Sequence, residues 1–210
     1  MNDASAQAAL LEAAEHPIDM ILETGWFITK DEHRADGAFP ILDETYTRAI
    51  LHEFYTERLI VLPKSRQMLA SWLVAAYLVA KLLTTNNLLA IYQTKREDDA
   101  LSFMERCYWI YNRLPAWLRK IRAKQTGPKE NRYKLEVPKS GSKIWGIPSG
   151  ADVIRMNTVS IFVSDEVNFQ PEAKGSLRAA GPSLGATGQG IWLSSANAGG
   201  LIPLLVKGSW

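Results

Sequence analysis

From residue 58 onward, the sequence alternates between short apolar runs and longer stretches with helical periodicity. The short runs have the length and composition of buried strands, and they span residues 59–63, 88–94, 159–166 and 190–197. Strands that alternate with helices are typical of βαβ units. The pattern therefore predicts an α/β fold built on a mostly parallel sheet.

The segments between these runs predict two helices and a hairpin. Residues 68–83 are apolar nearly all round, as expected of a helix buried beneath a sheet. Residues 97–114 form an amphipathic pattern with helical spacing. Residues 133–138 and 143–148 alternate between apolar and polar positions on either side of a turn at 139–142. This last pattern favours a β-hairpin.

The first 57 residues have a different pattern. Residues 10–22 predict a helix interrupted at Pro17, residues 31–43 are polar and turn-rich, and residues 45–55 are amphipathic. We therefore divide the chain into an N-terminal extension, residues 1–57, and a core domain, residues 58–210. The extension is a candidate lid or docking arm.

Composition narrows the class of protein. The chain has 210 residues, of which 47% are hydrophobic and 22% charged, so it is neither disordered nor fibrous. Its longest apolar run is interrupted by Ser71 and Lys81 and is shorter than the roughly 18 residues of a membrane span. The first residues lack the features of a secretory signal. Cys107 is the only cysteine, which excludes an internal disulfide and a multi-cysteine zinc site.

The small net charge of +2 conceals a strong segregation of charge. Residues 1–57 carry twelve acidic and three basic side chains, whereas residues 113–143 carry ten basic and two acidic ones. A basic segment of this density indicates a polyanionic partner such as a nucleic acid. The alternative interpretation is a solvated surface segment whose lysines favour solubility.

Polar clusters follow three of the predicted strands, at residues 64–71, 164–166 and 194–197. Ligands of open α/β sheets bind at the carboxyl ends of the strands. The first cluster has the strand–loop–helix position of a phosphate-binding loop. Against the pattern G-x-x-x-x-G-K-[ST], Lys64 stands at the first glycine, Leu69 at the second and Ala70 at the lysine, so only Ser71 fits. A basic turn that opens a core helix is the competing interpretation.

The second cluster, Asp165-Glu166, has the form of the acidic motif of P-loop ATPases. In that motif the first carboxylate holds the Mg²⁺ shell and the second orients and deprotonates the attacking water. A pair of surface carboxylates is the alternative. In the third cluster, Asn197 could sense a γ-phosphate through its amide, or it could belong to a simple turn.

Taken in order along the chain, these motifs resemble the ATPase domain of the large terminase subunit of tailed bacteriophages. The resemblance covers about residues 40–200 and rests on residues 65–67 with Ser71, on 161–166 and on 195–197, together with the strand exit at 92–95 and the hairpin turn at 141–142. It implies a P-loop ATPase fold of the additional-strand type, with a mostly parallel central sheet flanked by helices.

The resemblance also implies roles for the matching residues. The residues that would contact the nucleotide are Lys64, Ser65, Arg66, Gln67, Ser71 and Asn197. Ser71 and Asp165 would hold Mg²⁺, and Glu166 would be the catalytic base. Arg66 would lie near the γ-phosphate, and Arg155 matches the region of an arginine finger that reaches a neighbouring subunit. The segment 195–197 would couple hydrolysis to movement.

Cofactors and partners follow from the same resemblance. ATP and Mg²⁺ would be the cofactors. The partners would be double-stranded DNA, further copies of the chain in a ring, the portal protein and the small terminase subunit, with no membrane. The place of action would be the cytoplasm of the bacterial host.

Two departures from the family pattern matter. Leu69 and Ala70 replace the usual loop residues, and no glutamine near Tyr46 matches the family's adenine-recognition motif. In addition, a 210-residue chain leaves no room for the family's C-terminal nuclease domain. The alternatives are a non-catalytic relative that keeps the fold and the assembly role, or another P-loop ATPase that translocates DNA.

Overall fold

The computed structural model describes residues 3–30, 37–65, 69–122, 131–150, 152–195, 197 and 200–207. The helices in these ranges are α1 (Asp3–Glu15), α2 (Pro17–Leu22), α3 (Thr45–Thr56), α4 (Ala70–Thr84), α5 (Glu97–Arg113), α6 (Ala116–Arg122), α7 (Asp152–Arg155), α8 (Ala173–Leu184) and α9 (Leu201–Val206). The strands are β1 (Ile28–Lys30), β2 (Ala38–Pro40), β3 (Leu59–Pro63), β4 (Leu89–Gln93), β5 (Lys134–Val137), β6 (Ser142–Ile147), β7 (Ile161–Asp165) and β8 (Gln189–Ser194). A 3₁₀ turn at Val167–Phe169 follows β7.

The central sheet has the strand order β3-β8-β7-β4-β6-β5 in the described part of the chain. Neighbouring strands are parallel from β3 to β6, and β5 closes the edge antiparallel to β6. β8 is inserted between β3 and β7, which is the additional-strand arrangement. The predicted fold class is therefore confirmed.

Helices cover both faces of the sheet. Because side chains alternate along each strand, the parallel strands contribute to two separate cores. In β7, Ile161 and Val163 join a core shared with α4 and α5, whereas Phe162 joins a second core shared with α8. α4 is buried on nearly all sides, as the sequence predicts.

Within the described ranges, no helix is both long and apolar enough to cross a bilayer. Cys107 is fully buried, and burial raises the pKa of its thiol.

The N-terminal residues share the core of α4 rather than lying apart from it. Leu10, Ile21, Phe27 and Phe54 belong to the same buried cluster as the side chains of α4. On the surface, the Arg48 guanidinium donates to Asp19 at 2.8 Å and to Asp43 at 2.7 Å, and also to Glu23. Arg48 thereby links α2, α3 and the segment before α3 through three of the acidic side chains.

The predicted elements agree with the observed ones except at the N-terminal part of the chain. The hairpin is confirmed: β5 and β6 pair across a turn in which Gly141 has a φ of 69°, a conformation that favours glycine. α1 begins at Asp3 rather than at residue 10, because its first turns are rich in alanine, a strong helix former. The pairing of β1 with β2 was not predicted, since strands of three residues are too short to show alternation.

Leu10 and Leu11 allow a test of how firmly the N-terminal residues hold the core. Leu10 is 4% exposed and Leu11 is 69% exposed. We expect Leu10→Ala to lower the free energy of unfolding by about 2–5 kcal/mol, because it leaves a cavity in the shared core. Leu11→Ala, the matched control, should change it by less than about 0.5 kcal/mol. Urea unfolding measures both, and equal effects would contradict the shared core.

Candidate functional site

The carboxyl ends of β3, β8 and β7 meet at one edge of the sheet. In the parallel register, Pro63 lies beside Ser194, and Leu193 lies beside Asp165. The Lys64 backbone N–H extends this pairing by donating to the Ser194 carbonyl at 2.9 Å. The polar clusters predicted at three separate strand ends are therefore brought together.

Asp165 projects from the end of β7 towards the start of α4, because it lies on the same face of its strand as Val163. The Lys64 ammonium contacts Asp165 Oδ1 at 2.6 Å, and the Ser71 hydroxyl donates to Oδ2 at 3.2 Å. The Tyr92 hydroxyl also donates to Oδ2, and the Glu166 backbone N–H donates to Oδ1 at 2.8 Å. The Asp165 side chain is only 9% exposed, and its carboxylate has four donors.

Leu69 gives the loop before α4 an unusual backbone. It precedes the helix with a φ of 52°, in the left-handed region that glycine adopts most readily. Its carbonyl still accepts hydrogen bonds from the N–H groups of Trp72 and Leu73, at 2.8 and 2.9 Å. The position at which the phosphate-loop pattern has its second glycine thus has a glycine-like conformation, although a leucine occupies it.

Glu166 has different surroundings from Asp165, although the two are adjacent. Its backbone is also left-handed, with a φ of 52°, and its side chain is 38% exposed. The carboxylate accepts hydrogen bonds from the Ser194 hydroxyl at 3.1 Å and from the Ser195 backbone N–H at 3.2 Å. The Ser195 hydroxyl donates to it as well, at 2.9 Å, and the Lys64 ammonium lies 3.5 Å away.

These contacts determine the charge on Glu166. Burial alone would raise the pKa of Glu166, but the Ser195 N–H, the Lys64 charge and the two serine hydroxyls outweigh it. The net result is a pKa below the ordinary value of 4.5, so the carboxylate is ionised at neutral pH.

Asn168, in the 3₁₀ turn after β7, forms side-chain hydrogen bonds with Ser195 and Ile202. Its side-chain amide donates to the Ser195 carbonyl at 2.8 Å, and its amide oxygen accepts from the Ile202 N–H at 2.8 Å. The Asn197 side chain donates to the Asn168 carbonyl at 3.4 Å. A Cβ on Gly200 would lie 2.3 Å from the Asn168 side chain, so a glycine is required there.

The sequence matches no protein-family model and no characterised protein sequence, but the fold has clear structural relatives. The HK97 bacteriophage large terminase matches 92% of the chain with a TM-score of 0.70 at 14% identity. The ATPase domain of the Thermus phage P74-26 large terminase matches 73% of it with a TM-score of 0.55 at 17% identity. The chain has the fold of a large-terminase ATPase domain. It spans 40% of the HK97 protein and 65% of the P74-26 domain.

Within this terminase fold, the residues predicted to carry the chemistry lie in several places. Lys64, Ser71, Asp165 and Glu166 form one contiguous cluster. Ser65 follows Lys64 directly and is exposed. Asn197 is linked to the cluster through Asn168. The predicted loop residues Arg66 and Gln67 lie outside the described part of the chain.

Arg155 lies elsewhere, as an exposed residue at the end of α7. Its guanidinium contacts Asp152 at 3.0 Å. Both residues line a cavity of about 900 Å³ at the end of β6, together with Trp145 and Glu172. This cavity does not contain the cluster of lysine, hydroxyl and carboxylates, so we assign the candidate site to the cluster.

The donor set of the cluster fits Mg²⁺ bound together with a nucleotide. Mg²⁺ is commonly held by one or two protein oxygens, with phosphates and water completing the octahedron. Ser71 Oγ and Asp165 Oδ2 lie 3.2 Å apart and provide such a pair. Among the described residues, no group of three or more His, Cys, Asp or Glu side chains converges as a purely protein-held metal site would require.

Sequence reasoning missed three contributors to this cluster: Tyr92, Ser194 and Asn168. Tyr92 carries a recognisable signal, because a tyrosine in a fully buried strand needs a partner for its hydroxyl. Ser194 belongs to the predicted polar cluster 194–197 but the sequence assigns it no role of its own there, and Asn168 carries no signal. Their roles depend on which strands are neighbours, and this is not evident from local patterns.

The hydrogen bonds to Glu166 predict a pH-dependent effect of Ser195→Ala. Removing the hydroxyl should destabilise the folded state at about pH 7, where Glu166 is ionised in both states. Because the folded pKa is depressed, the stability that depends on the carboxylate is present above about pH 4.5 and is lost as the pH falls through the folded pKa. The difference between wild type and variant in unfolding free energy should therefore shrink as the pH falls below 4.5 and through the folded pKa.

Ser183 provides the control, since its hydroxyl donates to the Ile154 carbonyl, which does not titrate. The effect of Ser183→Ala should stay nearly constant over the same pH range. An effect of Ser195→Ala that is equally independent of pH would contradict the ionised state of Glu166.

Proposed function

We propose that this chain is the ATPase motor domain of a phage large terminase, which couples Mg²⁺-dependent ATP hydrolysis to translocation of double-stranded DNA. The observation that carries the proposal is the convergence of Lys64, Ser71, Asp165 and Glu166 at one sheet edge. The additional-strand order, with β8 between β3 and β7, supports it, because those strands deliver the lysine, the two carboxylates and the serines.

Each residue has a part in this proposal. Lys64 would turn from Asp165 towards the phosphate oxygens, and its positive charge would stabilise the charge that develops on them. Ser71 and Asp165 would hold Mg²⁺, which when bound neutralises phosphate charge. Ser65, Arg66 and Gln67 would complete the loop around the phosphates, with Arg66 near the γ-phosphate.

Glu166 is suited to position the attacking water. The carboxylate is partly exposed, so water can reach it, and it is held in one orientation by Ser194 and Ser195. Its lowered pKa keeps it ionised and able to accept a hydrogen bond from the water. Asn197 and the segment 195–197 would sense the γ-phosphate and relay its loss.

The position of Arg155 supports a role between subunits. Its side chain is exposed beside a cavity at another part of the sheet edge, where it pairs with Asp152 rather than with the cluster. An arginine placed there would reach the active site of a neighbouring copy in a ring. We therefore propose that the assembled ring is the active form.

This proposal predicts that variants with different defects complement each other. Glu166→Gln should lower kcat by at least about 100-fold while nucleotide binding persists, because a neutral amide cannot take up the proton of the attacking water. Arg155→Ala should also be nearly inactive by itself. A mixture of the two should regain measurable Mg²⁺-dependent ATPase activity, because mixed rings contain sites with an intact Glu166 facing an intact Arg155.

Glu172→Gln is the matched control, since Glu172 is an exposed carboxylate that lines the cavity beside Arg155. Its kcat should stay close to that of wild type. All proteins are assayed at high concentration, with and without duplex DNA. If the wild-type chain binds no nucleotide under any of these conditions, the motor function is ruled out.

A non-catalytic terminase-like domain is the second candidate. Leu69 and Ala70 favour it, because Leu69 stands where an ordinary phosphate loop has its second glycine and Ala70 stands where it has its lysine. The Mg²⁺-dependent ATPase activity of the wild-type chain, measured at high concentration with and without duplex DNA, decides between the two candidates.

The basic segment 113–143 is the proposed DNA contact. In its described part, Arg113 stacks on Trp109 with 3.2 Å between the guanidinium carbon and the ring centroid. The Lys134 ammonium lies 4.1 Å from the centroid of Trp145. These stacked cations are held at the surface, where they can contact phosphates without reading sequence. The portal protein, the small subunit and action in the host cytoplasm belong to the same proposal.

Charge reversal tests this contact. The triple variant Lys120→Glu, Arg122→Glu, Lys124→Glu should weaken duplex DNA binding and flatten its dependence on salt, because fewer counterions are released. The exposed Arg178 lies outside the segment, so Arg178→Glu should leave the salt slope unchanged. Fluorescence anisotropy at several salt concentrations measures both. An unaltered salt slope in the triple variant would exclude the segment.

A further inference from the structure

Tyr92 is a buried residue whose hydroxyl has a specific partner in the candidate site. Its side chain is almost fully buried in the middle of the sheet, at 1% exposure, and its ring stacks in parallel on Phe103 of α5. The hydroxyl donates to Asp165 Oδ2. A phenylalanine would fill the same space, so the hydroxyl contributes chiefly through this bond.

The sheet register explains how Tyr92 reaches Asp165. Tyr92 lies beside Val163 in the parallel pairing of β4 with β7. Asp165 is two residues further along β7, so it projects to the same face, one step nearer the sheet edge. A tyrosine is long enough to span this diagonal. The contact therefore depends on the backbone register and not on a flexible loop.

The two oxygens of Asp165 have different partners. Oδ2 accepts from Tyr92 and Ser71, two neutral hydroxyls on a strand and a helix of the core. Oδ1 accepts from the Lys64 ammonium, at the end of a long side chain, and from the Glu166 N–H. When Lys64 turns to a nucleotide, Oδ1 loses its charged partner, whereas Tyr92 still holds Oδ2.

We propose that Tyr92 is a positioning residue for the cation site: its hydroxyl fixes the rotation of the Asp165 carboxylate so that Asp165 and Ser71 present their oxygens together to Mg²⁺. The inference rests on the proposed function, because it concerns the Mg²⁺ that accompanies the nucleotide. Partners that orient a ligating carboxylate in this way typically change metal affinity by 10- to 100-fold.

Tyr92→Phe and Tyr77→Phe form a matched pair for the test. Tyr77 is also 1% exposed in the same core, and its hydroxyl donates to Gln189 at 2.6 Å, away from the carboxylates. Both variants remove one buried hydroxyl and keep the ring. Binding of a fluorescent ATP analogue is measured as a function of Mg²⁺ concentration, with thermal unfolding as a check on folding.

The Mg²⁺ concentration for half-maximal binding should rise about 10- to 100-fold in Tyr92→Phe and stay unchanged in Tyr77→Phe. In an Asp165→Ala background, Tyr92→Phe should cause no further shift, because the carboxylate that it orients is gone. This second comparison separates positioning from a general loosening of the core.

The outcomes are distinguishable. If wild type binds the analogue without any dependence on Mg²⁺, or does not bind it, the proposed function fails and the inference fails with it. If wild type responds to Mg²⁺ but Tyr92→Phe has the same half-saturation, only the inference is overturned. It is also overturned if Tyr77→Phe shifts the response as much, or if the shift persists in Asp165→Ala.

Discussion

The organisation of this edge of the sheet depends on the burial of one carboxylate. Asp165 is a charged group held almost entirely out of water, and such a group is tolerated only when donors replace its hydration. Those donors come from the loop after β3, from α4, from β4 and from the following backbone N–H. Elements far apart in the sequence are therefore held together by the need to satisfy a single side chain.

The adjacent Glu166 shows that neighbouring carboxylates need not be equivalent. Its left-handed backbone turns it away from the interior and towards the end of β8, where the two serines hold it. One carboxylate is enclosed by the core and the other faces solvent in a fixed orientation. Different environments for paired carboxylates are a common way to give them different chemical tasks.

The sequence predicts the sheet well, because its strands are short apolar or alternating runs, and three of them end in a polar cluster. The runs that became β7 and β8 show this most clearly, and the ends of these strands hold much of the site. The order of strands across the sheet follows from no local pattern, so the pairing of Tyr92 with Asp165 could not be predicted. Leu69 shows a similar limit, since a leucine takes the left-handed conformation that glycine would have signalled. The three-residue strands β1 and β2 are too short to carry any periodicity.

The two-residue repeat of β7 has a consequence for how this sequence can diverge. Ile161, Val163 and Asp165 share one face of the strand, and Phe162 and Ser164 share the other. Exchanging one apolar residue for another leaves this arrangement intact. Inserting one residue would bring Ser164 into the place of Asp165, and deleting one would bring Glu166 there. Substitutions can therefore accumulate freely inside the strands while their length stays fixed, and changes in length are confined to the connections. A sequence under this constraint can change most of the apolar residues in its strands and still bring the same polar side chains to the same edge of the sheet.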